Sequence, residues 1–187
     1  MSRGTGTAAL TLAASLAGAI AWAGETAAPA SVTIRLDDLA GTSARDLEAA
    51  KSEMDRIFHA AGVDVNWVDT TVMPRPGQLT LILLKENAQP ASERGDVAGE
   101  AVRQTSRAYV YCNRLDMVTK HLPVDANVIL GRVMAHETGH LLLPPNSHSR
   151  IGIMRPHVDF AQVGVNTFTS DQVQALRSAI RGAHARP

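Results

Sequence analysis

Apolar positions along the chain change their spacing several times, and each change marks an element. Val32, Ile34 and Leu36 alternate with Thr33 and Arg35, which predicts a half-buried strand. Across 43–61 the apolar residues Leu47, Ala50, Met54, Ile57, Phe58 and Ala61 fall three or four apart, the period of a helix with one buried face. Gly62 is placed to end that helix in a left-handed turn. Val63, Val65 and Trp67 alternate with Asp64 and Asn66 and predict a second strand. After a Pro/Gly break at 73–77, residues 79–84 are apolar enough for a strand inside a sheet. The stretch 86–105 is polar and rich in Gly and Ala and reads as a long surface loop or irregular edge, while 108–112 reads as a fourth strand. A second long helix begins at Asp125, carries Val128, Ile129, Val133 and Met134, and runs to Leu143, where Pro144 and Pro145 stop it. An irregular segment then leads to Phe168. Thr169 and Gln172 form a capping box that opens a last helix bearing Val173, Leu176 and Ile180. The order predicts an α/β (α+β) domain: a mixed sheet of about four strands packed against two long helices, followed by a C-terminal helix.

The length of 187 residues suits one domain with a substantial core. With 45% hydrophobic and 19% charged residues and a formal net charge of +0, the chain has no basic surface for nucleic acid or for an anionic membrane. The first stretch departs from this average. Arg3 precedes an Ala/Leu-rich run over 8–23 that closes on Ala21-Trp22-Ala23, the pattern of a secretory signal peptide cleaved after Ala23. The expected organisation is therefore a signal peptide at 1–23, a spacer at 24–30 and a single folded domain at 31–187. The mature protein is expected to be exported, periplasmic or secreted, with no stable membrane insertion after cleavage. Cys112 is the one cysteine, so no intramolecular disulfide forms, and its place on the fourth strand reads as buried and inert.

The segment that carries chemistry is His136-Glu137-Thr138-Gly139-His140, on the second long helix. Two histidines four residues apart project from one helix face, so both imidazoles reach a single Zn²⁺. Glu137 is rotated about 100° from His136, beside the metal and not on it, where its carboxylate is able to take a proton from an activated water. A catalytic zinc needs a third protein ligand and an open position. No Glu follows Glu137, which leaves His148, His157, Asp159 and His184 as downstream candidates. His148 is the best placed, since a short turn after the proline pair returns it to the helix end.

These residues resemble the metzincin metallopeptidases and, within them, the matrixins, whose HExxHxxGxxH segment is followed by a Met-containing turn and a C-terminal helix. Here the helix motif is followed by His148-Ser149, by Gly152-Ile153-Met154-Arg155-Pro156 and by the helix from Ser170. The chain is also similar to a group of bacterial exported proteins with an AYVYxNRL-like strand, an HExGHLLL helix and an SHSxxGIM segment, a similarity covering nearly the whole mature chain. Two positions depart from the matrixin pattern: the family glycine falls at Leu143 and the usual third histidine at Asn146, so the route to His148 is two residues longer. Arg155 also stands where matrixins commonly have Tyr, so no phenol is carried over. The resemblance implies a zinc endopeptidase with His136, His140 and His148 on the metal, Glu137 as general base and Met154 as a hydrophobic floor. It implies a protein or peptide substrate, and strand addition, which satisfies a peptide backbone without reading its sequence, is expected to lay that substrate along a sheet edge in the 98–112 region. The alternative is a non-catalytic metal-stabilised or peptide-binding exported module, in which the longer loop has spoiled catalysis.

Overall fold

In the computed structural model the described residues are 30–68, 71, 73, 75, 77–86, 97–119, 124–156 and 166–184. The expected signal peptide and nearly all of the spacer lie outside them. The elements are β1 (Ala30–Asp38), α1 (Ala44–Ala60), β2 (Val63–Val68), β3 (Leu79–Leu84), β4 (Gly99–Val102), a 3₁₀ turn (Arg103–Thr105), β5 (Arg107–Tyr111), α2 (Cys112–Thr119), α3 (Ala126–Leu142) and α4 (Ser170–His184). The strands form one mixed sheet in the order β2-β1-β3-β5-β4, in which only β4 is antiparallel to its neighbour. The expected α/β architecture is present, with five strands where about four are predicted.

Strand β1 shows why one face of the sheet is covered. Ala30, Val32, Ile34 and Leu36 are buried, while Ser31, Thr33 and Arg35 between them are half-exposed. Leu81 and Leu83 of β3 and Ala108 and Val110 of β5 continue this inner face, in register with one another. Helix α1 starts at an N-cap, Ser43, whose hydroxyl accepts from Asp46 N, and it buries Ala50, Met54, Ile57 and Phe58. Gly62 ends it at φ +68°, as the sequence predicts. Beside Gly62 lies the Arg177 guanidinium of α4, whose Nε donates to Ala61 O at 2.8 Å and ties α4 to the end of α1.

Helix α3 is capped by Asp125, which accepts from Asn127 N. It then departs from the one-faced pattern: every residue from Ile129 to Gly139 is buried. A helix enclosed on all sides needs close neighbours, and small residues supply them. Gly131 lies against Ala50 O and Glu53 Cβ of α1. Next to it the buried Arg132 pairs with Glu53 at 3.2 Å, and Glu53 also holds Arg56 at 2.7 Å. Asn127 Nδ2 donates to Asp46 Oδ1 at 3.0 Å, so α1 and α3 are joined by polar contacts as well as by their core faces. Phe58 and Phe168 close the core edge to face, with centroids 5.2 Å apart. Among the described residues no helix is long and apolar enough to cross a membrane.

The structure corrects four local expectations. The 86–105 stretch contains β4, whose Gly and Ala residues conceal the alternation that marks a strand. Helix α2 was not predicted because, of its described side chains, only Leu115 is fully buried, and one anchor makes no period. Cys112 opens α2 half-buried against the core and is not a strand residue. Ala30, placed in the spacer by sequence, already belongs to β1.

The α1–α3 contact yields a prediction in which two effects oppose. Gly131→Ala gains about 1 kcal/mol of helix propensity, but its methyl meets Ala50 O and stands 2.8 Å from Glu53 Cβ. Overpacking of this kind costs about 1–3 kcal/mol. Urea unfolding is expected to show a lower midpoint for the variant; a midpoint at or above wild type would refute this close-packed contact.

Candidate metal centre

His136 and His140 stand one turn apart on α3, with their Nε2 atoms 3.0 Å from each other. Leu143 leaves the helix with φ −82° and ψ 160°, and the Pro144-Pro145 pair cannot continue it. Asn146 then adopts φ +60°, a left-handed conformation that Asn tolerates better than most residues. This turn takes up the two extra residues of the loop. His148 returns so that its Nε2 lies 3.0 Å from His140 Nε2, and one nitrogen from each of the three rings falls within 4.8 Å of the other two.

Each part of this loop is held from outside. Ser147 O accepts from Gln172 Nε2 at 3.0 Å, while Gln172 Oε1 accepts from Thr169 N at 3.0 Å, so the α4 cap also anchors the His148 loop. Ser149 N donates to Met154 O at 2.8 Å, and Ile153 N to Thr167 O at 3.0 Å. Ile153 O in turn lies 2.7 Å from His136 Nδ1. A carbonyl only accepts, so Nδ1 carries the hydrogen and His136 Nε2 presents its lone pair to the other two rings. Met154 is fully buried beneath α3: a Cβ on Gly139 would stand 2.6 Å from Met154 Sδ and 3.1 Å from Phe168 Cε1. Met154 thus packs against α3 at Gly139, one residue before His140.

Hydrogen bonding does not account for three converging imidazoles. One N–H on His140 Nε2 serves only one of its two neighbours, and His136 Nε2 is already an acceptor. Three ring nitrogens meeting at one point form a metal-binding triad. In a tetrahedral zinc site with Zn–N about 2.0–2.1 Å the nitrogens stand ~3.3 Å apart, near the 3.0 Å separations here. The all-imidazole donor set is one that suits zinc.

Burial shapes the charges. It holds His136 below the usual imidazole range, with His148 adding to the effect and the Ile153 carbonyl opposing it. Burial, then His136 and His148, then Arg103 push His140 down to about 3. Both rings are therefore kept in the neutral form that binds metal. Glu137, 6% exposed, is pushed up to about 8 by burial and then by Glu100. It lies against β4 where Gly99 lacks a side chain: a Cβ there would stand 2.6 Å from Glu137 Cγ and 2.8 Å from its Oε1. On β5, burial raises the Tyr111 phenol above its usual range, with Glu100, its hydrogen-bond partner, adding to the shift.

The structure thus brings together His136, His140 and His148, and it sets Glu137, next to His136 on α3, against Gly99 of β4. His157 and Asp159 lie outside the described residues. His184 ends α4, twelve residues beyond Gln172, or about 18 Å of helix rise from the point that anchors the loop. Sequence reasoning missed Gly99 and Asn146 and read Gln172 only as a cap. A glycine inside a polar stretch and an asparagine after two prolines carry little signal until the fold shows what they touch.

No protein-family model matches this chain, and no curated protein does either. Its fold is similar to that of a zinc-dependent peptidase from Methanocorpusculum labreanum (strain Z), with TM-score 0.54 and 15% identity over 78% of this chain and 99% of that one. It is also similar to an archaemetzincin from Methanopyrus kandleri, with TM-score 0.55 and 13% identity over 83% of this chain and 99% of that one. At these identities the likeness establishes the shared fold.

The Glu137 environment predicts a pH-dependent stability. An acid whose folded pKa is raised from 4.5 to about 8 keeps its proton when folded and loses it when unfolded across that interval. Rising pH then favours the unfolded chain. In metal-free protein, the Tm of Glu137→Gln relative to wild type should climb from pH 4.5 to about 8 and level off above. A difference that is flat, or that falls with pH, would contradict the buried-acid description.

Proposed function

We propose that this chain is a zinc-dependent peptidase, an endopeptidase of the metzincin type, in which His136, His140 and His148 hold the metal through Nε2 and Glu137 is the general base. The observation that carries the reading is the convergence of the three imidazoles, with Glu137 next in sequence on the same helix and turned toward β4. The fold likeness to two zinc peptidases supports it. The succession of helix motif, His148 loop, buried Met154 and α4 supports the narrower, matrixin-like reading. The Ala/Leu-rich run over 8–23 supports export to the periplasm or beyond, and the balanced charge favours a protein or peptide substrate over nucleic acid.

Bound zinc would supply Lewis-acid polarisation of the scissile carbonyl and a water pKa lowered toward about 7. The protein does the rest. A cation held by the three imidazoles would bring the Glu137 carboxylate back toward the usual carboxylate range, so that at neutral pH a carboxylate oxygen would be free to take the proton of the attacking water. The same oxygen then delivers the proton to the leaving amine. Ile153 O fixes the His136 tautomer, and the anchors on Ser147 and Ser149 hold His148 in place without its being buried. Among the described residues β4 is the last strand on its side of the sheet, and its outer edge would pair with an extended peptide backbone without reading its sequence. Because β4 passes directly over Glu137 at Gly99, the scissile bond of a peptide on that edge falls beside the base.

Purified protein is expected to contain one zinc per chain and to cut casein or a mixed peptide set, with cleavage abolished by a chelator and restored by zinc. Glu137→Gln should keep its zinc and lose about 10²–10⁴-fold or more in rate. Gly99→Ala should also keep zinc and lose activity, since its methyl displaces the carboxylate. Stoichiometric zinc with no chelator-sensitive cleavage would instead favour the non-catalytic metal-stabilised module.

A further inference from the structure

Next to His140 a cavity of about 260 Å³ opens between the 3₁₀ turn that follows β4 and the turn that carries the chain toward His148. Its walls include Pro144, Pro145 and Asn146 on one side and Arg103 and Gln104 on the other. This volume is just below the ~300–1,000 Å³ of small-molecule sites, so it suits one residue and not a longer segment. Arg103 is the single charged side chain in the lining apart from any charge on His140.

Four arginines are tied into the fold: Arg35 pairs with Asp37 at 2.7 Å, Arg56 and Arg132 share Glu53, and Arg177 caps Ala61 O. Among the described residues no carboxylate pairs with Arg103, which is exposed. A guanidinium presents a rigid fork of N–H donors that matches a carboxylate bidentately. It also stands immediately after β4 and lines the same cavity as His140, so a peptide paired along that strand would run past it.

We propose that Arg103 is a specificity-determining residue: the cavity beside His140 takes a carboxylate of the substrate, either an acidic side chain or a free C-terminus, at the residue adjoining the bond that is cut. This inference rests on the peptidase reading of the same triad. Gln104 and Asn146 supply further polar groups to the carboxylate, and the prolines pack against its methylene stem. A Lys or Arg at that position meets like charge from both Arg103 and the metal and is rejected.

The test uses the zinc-loaded full chain and peptides that differ only at the adjoining position, carrying Glu, Gln or Lys, each with a free or an amidated C-terminus. Wild type is expected to favour the carboxylate by roughly tenfold or more in kcat/KM. Preference for internal Glu identifies a side-chain site, and preference for the free terminus over its amide a carboxy-end site. Arg103→Gln should keep one zinc per chain and cut the Glu and Gln peptides equally, and Arg103→Glu should reverse the order in favour of Lys. No discrimination in wild type, or discrimination that survives Arg103→Gln because the carboxylate binds metal directly, overturns the proposal. If zinc-loaded wild type cuts neither these peptides nor casein, the peptidase reading has failed. Fluorescence anisotropy with labelled peptides on zinc-loaded Glu137→Gln then decides the pocket separately. Tighter binding of the carboxylate peptide, lost in the Arg103→Gln, Glu137→Gln double variant, sustains it, and equal binding of all peptides ends it.

Discussion

Helix α3 lies closer to its surroundings than side chains ordinarily permit, and the rest of the structure follows from that enclosure. Three glycines make it possible on three sides. Gly131 admits the α1 backbone, Gly139 admits the sulfur of Met154, and Gly99 of β4 admits the side chain of Glu137. A helix with Gly at 131 and 139 gives up about 1 kcal/mol of propensity at each. The burial of every residue from Ile129 to Gly139 offsets this. Enclosure has an electrostatic consequence as well. It keeps His136 and His140 neutral and Glu137 protonated, three groups that water would leave partly or wholly charged at neutral pH.

The site is suited to a cation: three imidazole nitrogens converge, and a buried acid stands next to one of them on the same helix. A divalent cation held by the imidazoles would accept their lone pairs and favour the ionised carboxylate. The protein's own contribution is to hold that geometry. Ile153 O orients His136, Gln172 carries the order of α4 into Ser147, and the left-handed Asn146 aims the loop.

How much of this was legible in the sequence depended on whether a residue acts through its own pattern or through what it touches. Helix α1 and the long strands were readable because their buried positions recur at the helical or strand period. The pair His136 and His140 was readable from spacing alone, and the capping box Thr169/Gln172 from its four-residue signature. His148 could be ranked among its rivals but not placed, because the φ +60° turn at Asn146 that returns it has no signal beyond two preceding prolines. Strand β4 was unreadable for a physical reason: the feature that hides it, a missing side chain at Gly99, is the one that makes room for Glu137. Helix α2 was missed because, among its described side chains, a single buried leucine makes no pattern.

The central claim is that three imidazoles hold one zinc. Zinc K-edge X-ray absorption on the purified, zinc-loaded protein tests it most directly. The account predicts three imidazole nitrogens at about 2.0–2.1 Å and one further light-atom ligand. A spectrum with two imidazoles or fewer, or one left unchanged by His148→Ala, would contradict it.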